Sequence, residues 1–395
     1  MYGLNTDRRN YRSLVIAGLG AVGSSLVKLG WRELGLFDHV VAVDVINDRL
    51  LFCQDSDINC ICGDVTDSSL VHSLMSTTPG PTLFVNLCSS NDNVRIRKAL
   101  SFHDAAYIDS CASMTQDPDE CRFSRLMPYT YSTIDSRYPH WLCWGINPGV
   151  VELIARRLLK ELPAEKNCYD VTIYEYDRLE NVSDTEKAAV GWCPAALIEE
   201  VMLSPTLQII DGNPVEDNTL GTRDNTASWG DTPVAARVVG HEDIWNMGSI
   251  PCVKNSRFLY SLDPAVMQLL KTDTKLAGDL LYIPTSQKES IAGLEQVAVQ
   301  VSGKDLSKPQ TLVWTEDHGE IWQRFRVNAV QYQTAKSILL AIKLLQQTGY
   351  GTLPIACNGS NLPIGEADWQ IIDSFMEELG INWQDGTYLN LKAEE

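Results

Sequence analysis

The sequence has no C-x-x-C pair and no histidines at metal-ligand spacing, which removes the common zinc and dithiol patterns and leaves no metal call. Its eleven cysteines are scattered, with Cys60-Ile61-Cys62 the closest spacing. Cys53, Cys88 and Cys143 sit in apolar stretches, where thiols behave as small buried hydrophobes. An odd count without a framework points to reduced thiols and a cytoplasmic setting. No apolar run approaches the ~20 residues that span a bilayer, so no membrane partner is expected. The polar first ten residues lack the apolar core of a secretory signal. Positive charge is scarce: 32 Lys and Arg against 51 Asp and Glu give a net charge of −19, which argues against a general nucleic-acid surface. That acidity suits a cationic substrate such as an amine, and equally it suits solubility alone. No G-x-S-x-G elbow or Ser/His/Asp order supports a hydrolase. There is no internal repeat and no low-complexity tract.

What is there is an alternation. At 395 residues the chain is long for one hydrophobic core, so two domains are expected. Residues 14–17 form an apolar run that stops at a glycine loop, Gly18-Leu19-Gly20-Ala21-Val22-Gly23. Val22, Leu26 and Leu29, spaced by four and three, predict a helix ending near Gly35. Apolar runs at 40–43 and 59–62 follow. The first leads into Asp44 and the second into Gly63-Asp64-Val65-Thr66-Asp67, where Thr66 or Asp67 can cap a helix carrying Leu70, Val71 and Leu74. A strand at 82–87, a helix near 94–100 and a strand at 106–109 continue the pattern. The class is α/β: a Rossmann-type doubly wound parallel sheet over residues 1–150.

After a polar stretch at 116–139 and a strand-like 141–146, Asn147-Pro148-Gly149 opens a helix to about residue 162. The character then changes. Residues 171–177 alternate as a half-exposed strand does, with Val171, Ile173 and Glu175 on one face. A helix is expected near 194–203, with Pro194 in its first turn. Residues 211–248, rich in Asp, Asn, Gly and Thr, read as long loops or an insertion. Apolar runs at 311–314 and 321–327 flank Asp317-His318-Gly319 as a hairpin, with His318 at its tip. A long helix at 332–347, closing at Gly349, precedes an amphipathic one carrying Trp369, Ile372, Phe375, Met376 and Leu379.

The glycine loop follows a strand and opens a helix, with an acidic residue ending the next strand, as a dinucleotide site requires. Gly18 permits the tight turn, Gly20 leaves room for a pyrophosphate, and Gly23 lets the helix approach the sheet. Ala21 and Val22 begin the helix whose free N–H groups and dipole favour phosphate. Asp44 would accept from the ribose hydroxyls and repel a 2′-phosphate, favouring NAD, while nearby Arg49 leaves NADP open. Asp64 is a candidate adenine contact or a helix cap. Ser89 and Ser90 are candidates for the nicotinamide side or turn residues, and Asn147 either places an amide in the cleft or caps its helix. Glu175 is a carboxylate on an apolar strand face, and Trp192, Glu199 and Glu200 follow. Carboxylates with a tryptophan can hold a cationic amine and move its protons. The alternative puts Glu199 and Glu200 on a solvated helix face and Trp192 in the core. Trp144 and Trp245 read as packing.

These motifs, with Gly63-Asp64-Val65-Thr66 and Tyr107-Ile108-Asp109, resemble the saccharopine-dehydrogenase-like superfamily. Within it, Ile173-Tyr174-Glu175, Gly191-Trp192 and Ile198-Glu199-Glu200 are similar to the bacterial homospermidine synthases, over most of residues 15–265. The resemblance implies a second, α+β domain on a mixed sheet at 151–330 that carries the substrate and a homodimer contact, with C-terminal helices at 331–395 packing back on the first domain. It implies NAD-dependent oxidation of a diamine, imine formation with a second diamine, and return of the hydride. Asn147, Glu175, Trp192 and Glu200 match pocket residues, with Trp192 the cation–π platform and Glu175 and Glu200 holding amino groups. Two departures stand out. A family histidine after the run Phe258-Leu259-Tyr260-Ser261 is replaced by Leu262, and an acidic residue after the fifth strand is replaced around Ser110 to Ser113. Two rivals remain: a saccharopine- or carboxynorspermidine-dehydrogenase-type reductase, with Arg178 or Arg257 for a substrate carboxylate, and a non-catalytic NAD(H) sensor.

Overall fold

The computed structural model describes residues 10–53, 57–88, 93–110, 134–166, 168–181, 187–217, 224–229, 232–284, 290–348, 356–357, 362–384 and 389–392. The first sheet grows from the strand Ser13–Ala17, whose five residues are all buried. A strand covered on both faces needs an uninterrupted apolar run rather than alternation, and Leu-Val-Ile-Ala supplies one. His39–Asp44 and then Ile58–Cys62 add on one side, and Thr82–Asn86 and Ala105–Asp109 on the other. His140–Trp141 and Ala356–Cys357 complete seven strands, all parallel. The order reverses between Ser13–Ala17 and Thr82–Asn86, which opens a crevice at the carboxyl ends of these strands. The architecture is therefore Rossmann-like.

The first helix is shorter than its apolar spacing predicts. It spans Ala21–Leu29 and a separate turn, Trp31–Leu34, follows Gly30. A Cβ on Gly30 would lie 2.5 Å from Leu339 Cδ2, so the long helix Ala329–Thr348 is seated against this break.

The second sheet is mixed and ten-stranded, with Tyr169–Asn181 at its centre. That strand pairs in parallel with Val253–Leu262 and antiparallel with Ile291–Gly303. Ile173 and Tyr174 are both fully buried, so the strand is covered on both faces rather than half exposed. Two further expectations fail. Within 211–248 the chain forms strands Asn213–Asp217, Asp224–Trp229 and Thr232–Val239 and a helix Glu242–Met247, because pairing across the sheet supplies what local composition does not. Asp317-His318-Gly319 is no hairpin. Asp317 accepts from Glu320 N–H at 2.8 Å and caps the helix His318–Phe325, which buries His318 completely. Among the described residues no helix is long and apolar enough to cross a membrane.

Candidate active site

A cleft of about 500 Å³ runs from the glycine loop to the carboxylates of the mixed sheet. Gly18, Gly20, Ala21, Val22, Asp44 and Asp64 line one end. Gly18 has φ +87°, and a Cβ there would lie 2.8 Å from the backbone of Leu87 and Cys88. Gly20 faces open space, with Arg49 Nη1 the nearest group at 4.0 Å. Gly23 sits behind the lining, and a Cβ there would fall 1.9 Å from Gly18 O, so this glycine keeps helix and loop in contact. No acidic residue occupies the first turn of Ala21–Leu29, so nothing there competes with an anion at the helix N-terminus.

Asp44 is buried and already tied down. It accepts from Leu19 N–H at 2.7 Å and from Ile46 N–H at 2.8 Å, and Arg49 Nη1 stands 3.6 Å from Oδ2. The loop and the acid that would read the ribose are thus one hydrogen-bonded unit. Asp64 accepts from the Thr66 N–H and hydroxyl, both at 2.8 Å, while Asp67 caps the helix Ser68–Thr77. Ser89 and Ser90 lie outside the described residues.

The other end gathers Asn147, Glu175, Gly191, Trp192, Glu200, His241 and Glu242. The helix Val150–Leu159 takes Gly149 as its N-cap, at φ +123°, which leaves the Asn147 amide in the cleft. Asn147 Nδ2 donates to Glu175 Oε2. Trp192 Nε1 donates to the Tyr260 hydroxyl at 2.9 Å, which anchors the indole at the cleft wall. The short helix Pro194–Ile198 widens into a π-helical stretch, Glu199–Leu203, and within it Glu200 is buried while Glu199 stays half-buried. Such wide turns commonly re-aim a side chain at a site. Trp144 is core, donating to Ser337 O at 2.9 Å, and Trp245 packs against the core.

Sequence reasoning missed His241-Glu242-Asp243. The imidazole stacks on Phe258 with centroids 4.7 Å apart, Nε2 is 3.7 Å from Glu200 Oε1, and Nδ1 is 3.2 Å from Asp243 Oδ1. The signal lies in three ionisable residues that follow the strand Thr232–Val239 after a single glycine. Burial alone would lower the imidazole pKa, but Asp243, Glu200 and Glu242 outweigh it and raise it to about 10. Burial, then Asp177 and Glu200, push the Glu175 carboxyl up to about 8, against the opposite pull of His241 and Asn147. His241 and Arg49 are the cations among the described lining residues, and they stand at opposite ends. Arg178 is half exposed and pairs with Glu180 at 2.6 Å, and neither it nor Arg257 lines the cleft. The substrate end therefore holds more carboxyl groups than basic ones.

Also missed were Asp177, Glu295 and His318, whose ligand atoms lie within 4.8 Å of one another. They come from three elements and no sequence spacing joins them.

The fold is similar to that of the homospermidine synthase of Legionella pneumophila solved in complex with NAD. The two agree with a TM-score of 0.75 over 97% of this chain and 92% of that one, at 13% identity. Weaker likenesses, at TM-scores of 0.42 and 0.41, join it to the C. glutamicum DAP dehydrogenase in complex with DAP (11% identity, 91% and 98% covered) and to GenD2 from gentamicin A biosynthesis in complex with NAD (10%, 95% and 95%). No family model and no curated protein matches the chain by sequence. The resemblance read from the motifs thus holds at the level of fold.

Proposed function

We propose that the protein is an NAD-dependent enzyme acting at a C–N bond of an amine through an imine, with homospermidine-synthase-like chemistry. One observation carries this reading. The glycine loop with Asp44 and the cluster Glu175, Glu200 and Trp192 line one cleft, and its substrate end has an excess of carboxylates. The likeness in fold to an NAD-bound homospermidine synthase supports it. On this reading residues 1–150 carry the nucleotide and 151–330 the substrate.

The residues fit the cofactor: an open face at Gly20, a first helical turn free of acid, and Asp44 at the end of the second strand. NAD, when bound there, would take up a hydride and give it back. The chain's own groups do the rest. Glu175 takes a proton from the substrate ammonium, since a protonated amine cannot release hydride from its carbon. Glu200 pairs with an amino group, Trp192 offers its ring to the iminium, and Asn147 orients Glu175. A carboxylate-bearing substrate is disfavoured, because no Arg or Lys lines this end among the described residues. A cleft of about 500 Å³, rather than one filled by side chains, favours turnover over a sensor.

Incubation with NAD and putrescine, and separately with NADH, a keto acid and a diamine, distinguishes the readings by mass spectrometry. Homospermidine and one ammonia for every two putrescines, without net NADH change, are the expected products. A carboxylated secondary amine with NADH consumed would move the answer to a reductase. Trp192→Ala is expected to cut the rate at least about tenfold, the scale of a desolvated cation–π contact, and an unchanged rate removes its role. Because Asp44 repels a 2′-phosphate, NADH should bind about tenfold more tightly than NADPH in a fluorescence titration, some 1.4 kcal/mol. Equal affinities would mean that Arg49 governs the choice.

A further inference from the structure

On the same face of the mixed sheet as Glu175, two residues along its strand, lies Asp177, and directly across from Asp177 in the antiparallel register lies Glu295. Both are almost fully buried, at 2% and 1% exposure, and Asp177 Oδ2 and Glu295 Oε2 have no hydrogen-bond partner. The third member, His318, is held from both sides. Ala329 N–H donates to Nδ1 at 3.1 Å, and Nε2 lies 3.2 Å from Asp177 Oδ1. With the Nδ1 lone pair engaged by a backbone N–H, a neutral ring carries its proton on Nε2 and donates it to Asp177. That tautomer has no free lone pair for a metal ion.

We propose that Glu295 is a carboxylic acid, not a carboxylate, that it donates its proton to Asp177, and that with His318 it forms a fixed hydrogen-bonded group beside Glu175. The hydrogen bonds then converge on Asp177: Ala329 N–H donates to His318, His318 Nε2–H to Asp177 Oδ1, and Glu295 O–H to Asp177 Oδ2. Both unpartnered oxygens are thereby satisfied without a bound ion. Carboxylates crowded in a dry site cannot all ionise. Burial first, then Glu175 and Asp177, holds the Glu295 carboxyl well above the ordinary range.

The surroundings agree. Tyr260 faces the cluster from the strand Val253–Leu262, Glu200 from the π-helical stretch, and His241 from the start of the helix Glu242–Met247. Glu316 stands opposite Glu295 and is drawn down by Arg324 and Lys336, against the larger effect of its own burial. His241 is the one cation among these that acts on Glu175, and it is shared with Glu200 and Asp243. The consequence rests on the proposed function. With Glu295 neutral, Glu175 is the one member of the cluster that changes its proton count as an ammonium N–H bond breaks and the proton moves to its carboxylate. Glu295 is thus a positioning residue.

The test is infrared spectroscopy above about pH 9, where Glu175 is ionised. A protonated-carboxyl band is expected there in the wild-type protein, shifted by carbon-13 in glutamate carboxyls but not in aspartate carboxyls, and lost in Glu295→Gln. The labelling arm needs no variant to fold. In the pH profile of amine oxidation, Glu295→Gln should leave the limb of Glu175 within about half a unit of the wild type. If Glu295 were ionised, its removal would lower that limb by about one unit or more, which overturns the proposal. Absence of the band, its survival in Glu295→Gln, or a stoichiometric metal ion lost with that substitution also overturns it. The band does not depend on turnover, so a protein that shows it but oxidises no amine contradicts the proposed function alone.

Discussion

Glu175→Gln is expected to lower amine turnover by about 100-fold or more, the scale on which a positioned general base acts, while nucleotide binding stays as it is. Glu175 lies at the far end of the cleft from the glycine loop, so the two effects separate cleanly in a titration with NADH. The pH dependence fixes the role. Burial, with Asp177 and Glu200, raises the carboxyl to about 8, and only its ionised form accepts a proton. The rate of amine oxidation should therefore rise with pH through about 8, and this limb should vanish in Glu175→Gln. Stability runs the other way. The folded-state pKa lies above the unfolded one, so the group's favourable contribution is present at low pH and is lost as pH rises through about 8. Glu175→Gln should then melt at or above the wild-type temperature at pH 9, which separates loss of a base from loss of the fold. A variant that keeps wild-type turnover, or one that loses nucleotide as well, contradicts the assignment.

Gly23→Ala and Gly20→Ala should fail in different ways. At Gly23 the new methyl group would meet Gly18 O at 1.9 Å, and the obstacle is backbone that cannot swing aside. Overpacking of this kind costs about 1–3 kcal/mol, so the melting temperature should fall and NADH affinity should drop at least about tenfold with it, as the loop is pushed out of register with Asp44. At Gly20 the methyl group points into open space, with nothing nearer than 4.0 Å. Gly20→Ala should keep its melting temperature and still bind NADH more weakly, because the space it fills is the pyrophosphate's. If both variants bind nucleotide as the wild type does, the loop is not the phosphate site.

Five strands of the parallel sheet, from Ser13–Ala17 to Ala105–Asp109, are legible because each is a short, mainly apolar run, whereas the two-residue edge strand Ala356–Cys357 carries no such signal. Gly18 to Gly23, Asp44 and the Asp67 cap were all local features. The second half resisted local reading for a physical reason. Asn213–Asp217 is an exposed, polar strand that exists because it pairs with Thr206–Ile210. His318 looked like a hairpin tip, although the Asp317 and Glu320 spacing is a helix-start signal and should have outweighed the pair of flanking apolar runs. Of the site itself, Asn147, Glu175, Trp192 and Glu200 were named from sequence and meet in the cleft. Their contacts were not readable: Asn147 reaches Glu175 across 28 residues, and Asp177 faces Glu295 only through strand register. His241 lies in the segment 211–248, whose composition reads as long loops or an insertion. No histidine lies on the strand Val253–Leu262, yet the imidazole of His241, at the start of the preceding helix, stacks against Phe258 and stands beside Glu200.

The most direct measurement uses putrescine deuterated on the carbons next to nitrogen, with the purified protein and NAD. If one cleft both takes the hydride from an amine and returns it to an imine, homospermidine should form with its deuterium retained, unlabelled NADH added to the mixture should stay unlabelled, and the NADH level should hold steady. Deuterated NADH accumulating beside an aldehyde, or no labelled homospermidine forming at all, would contradict the account.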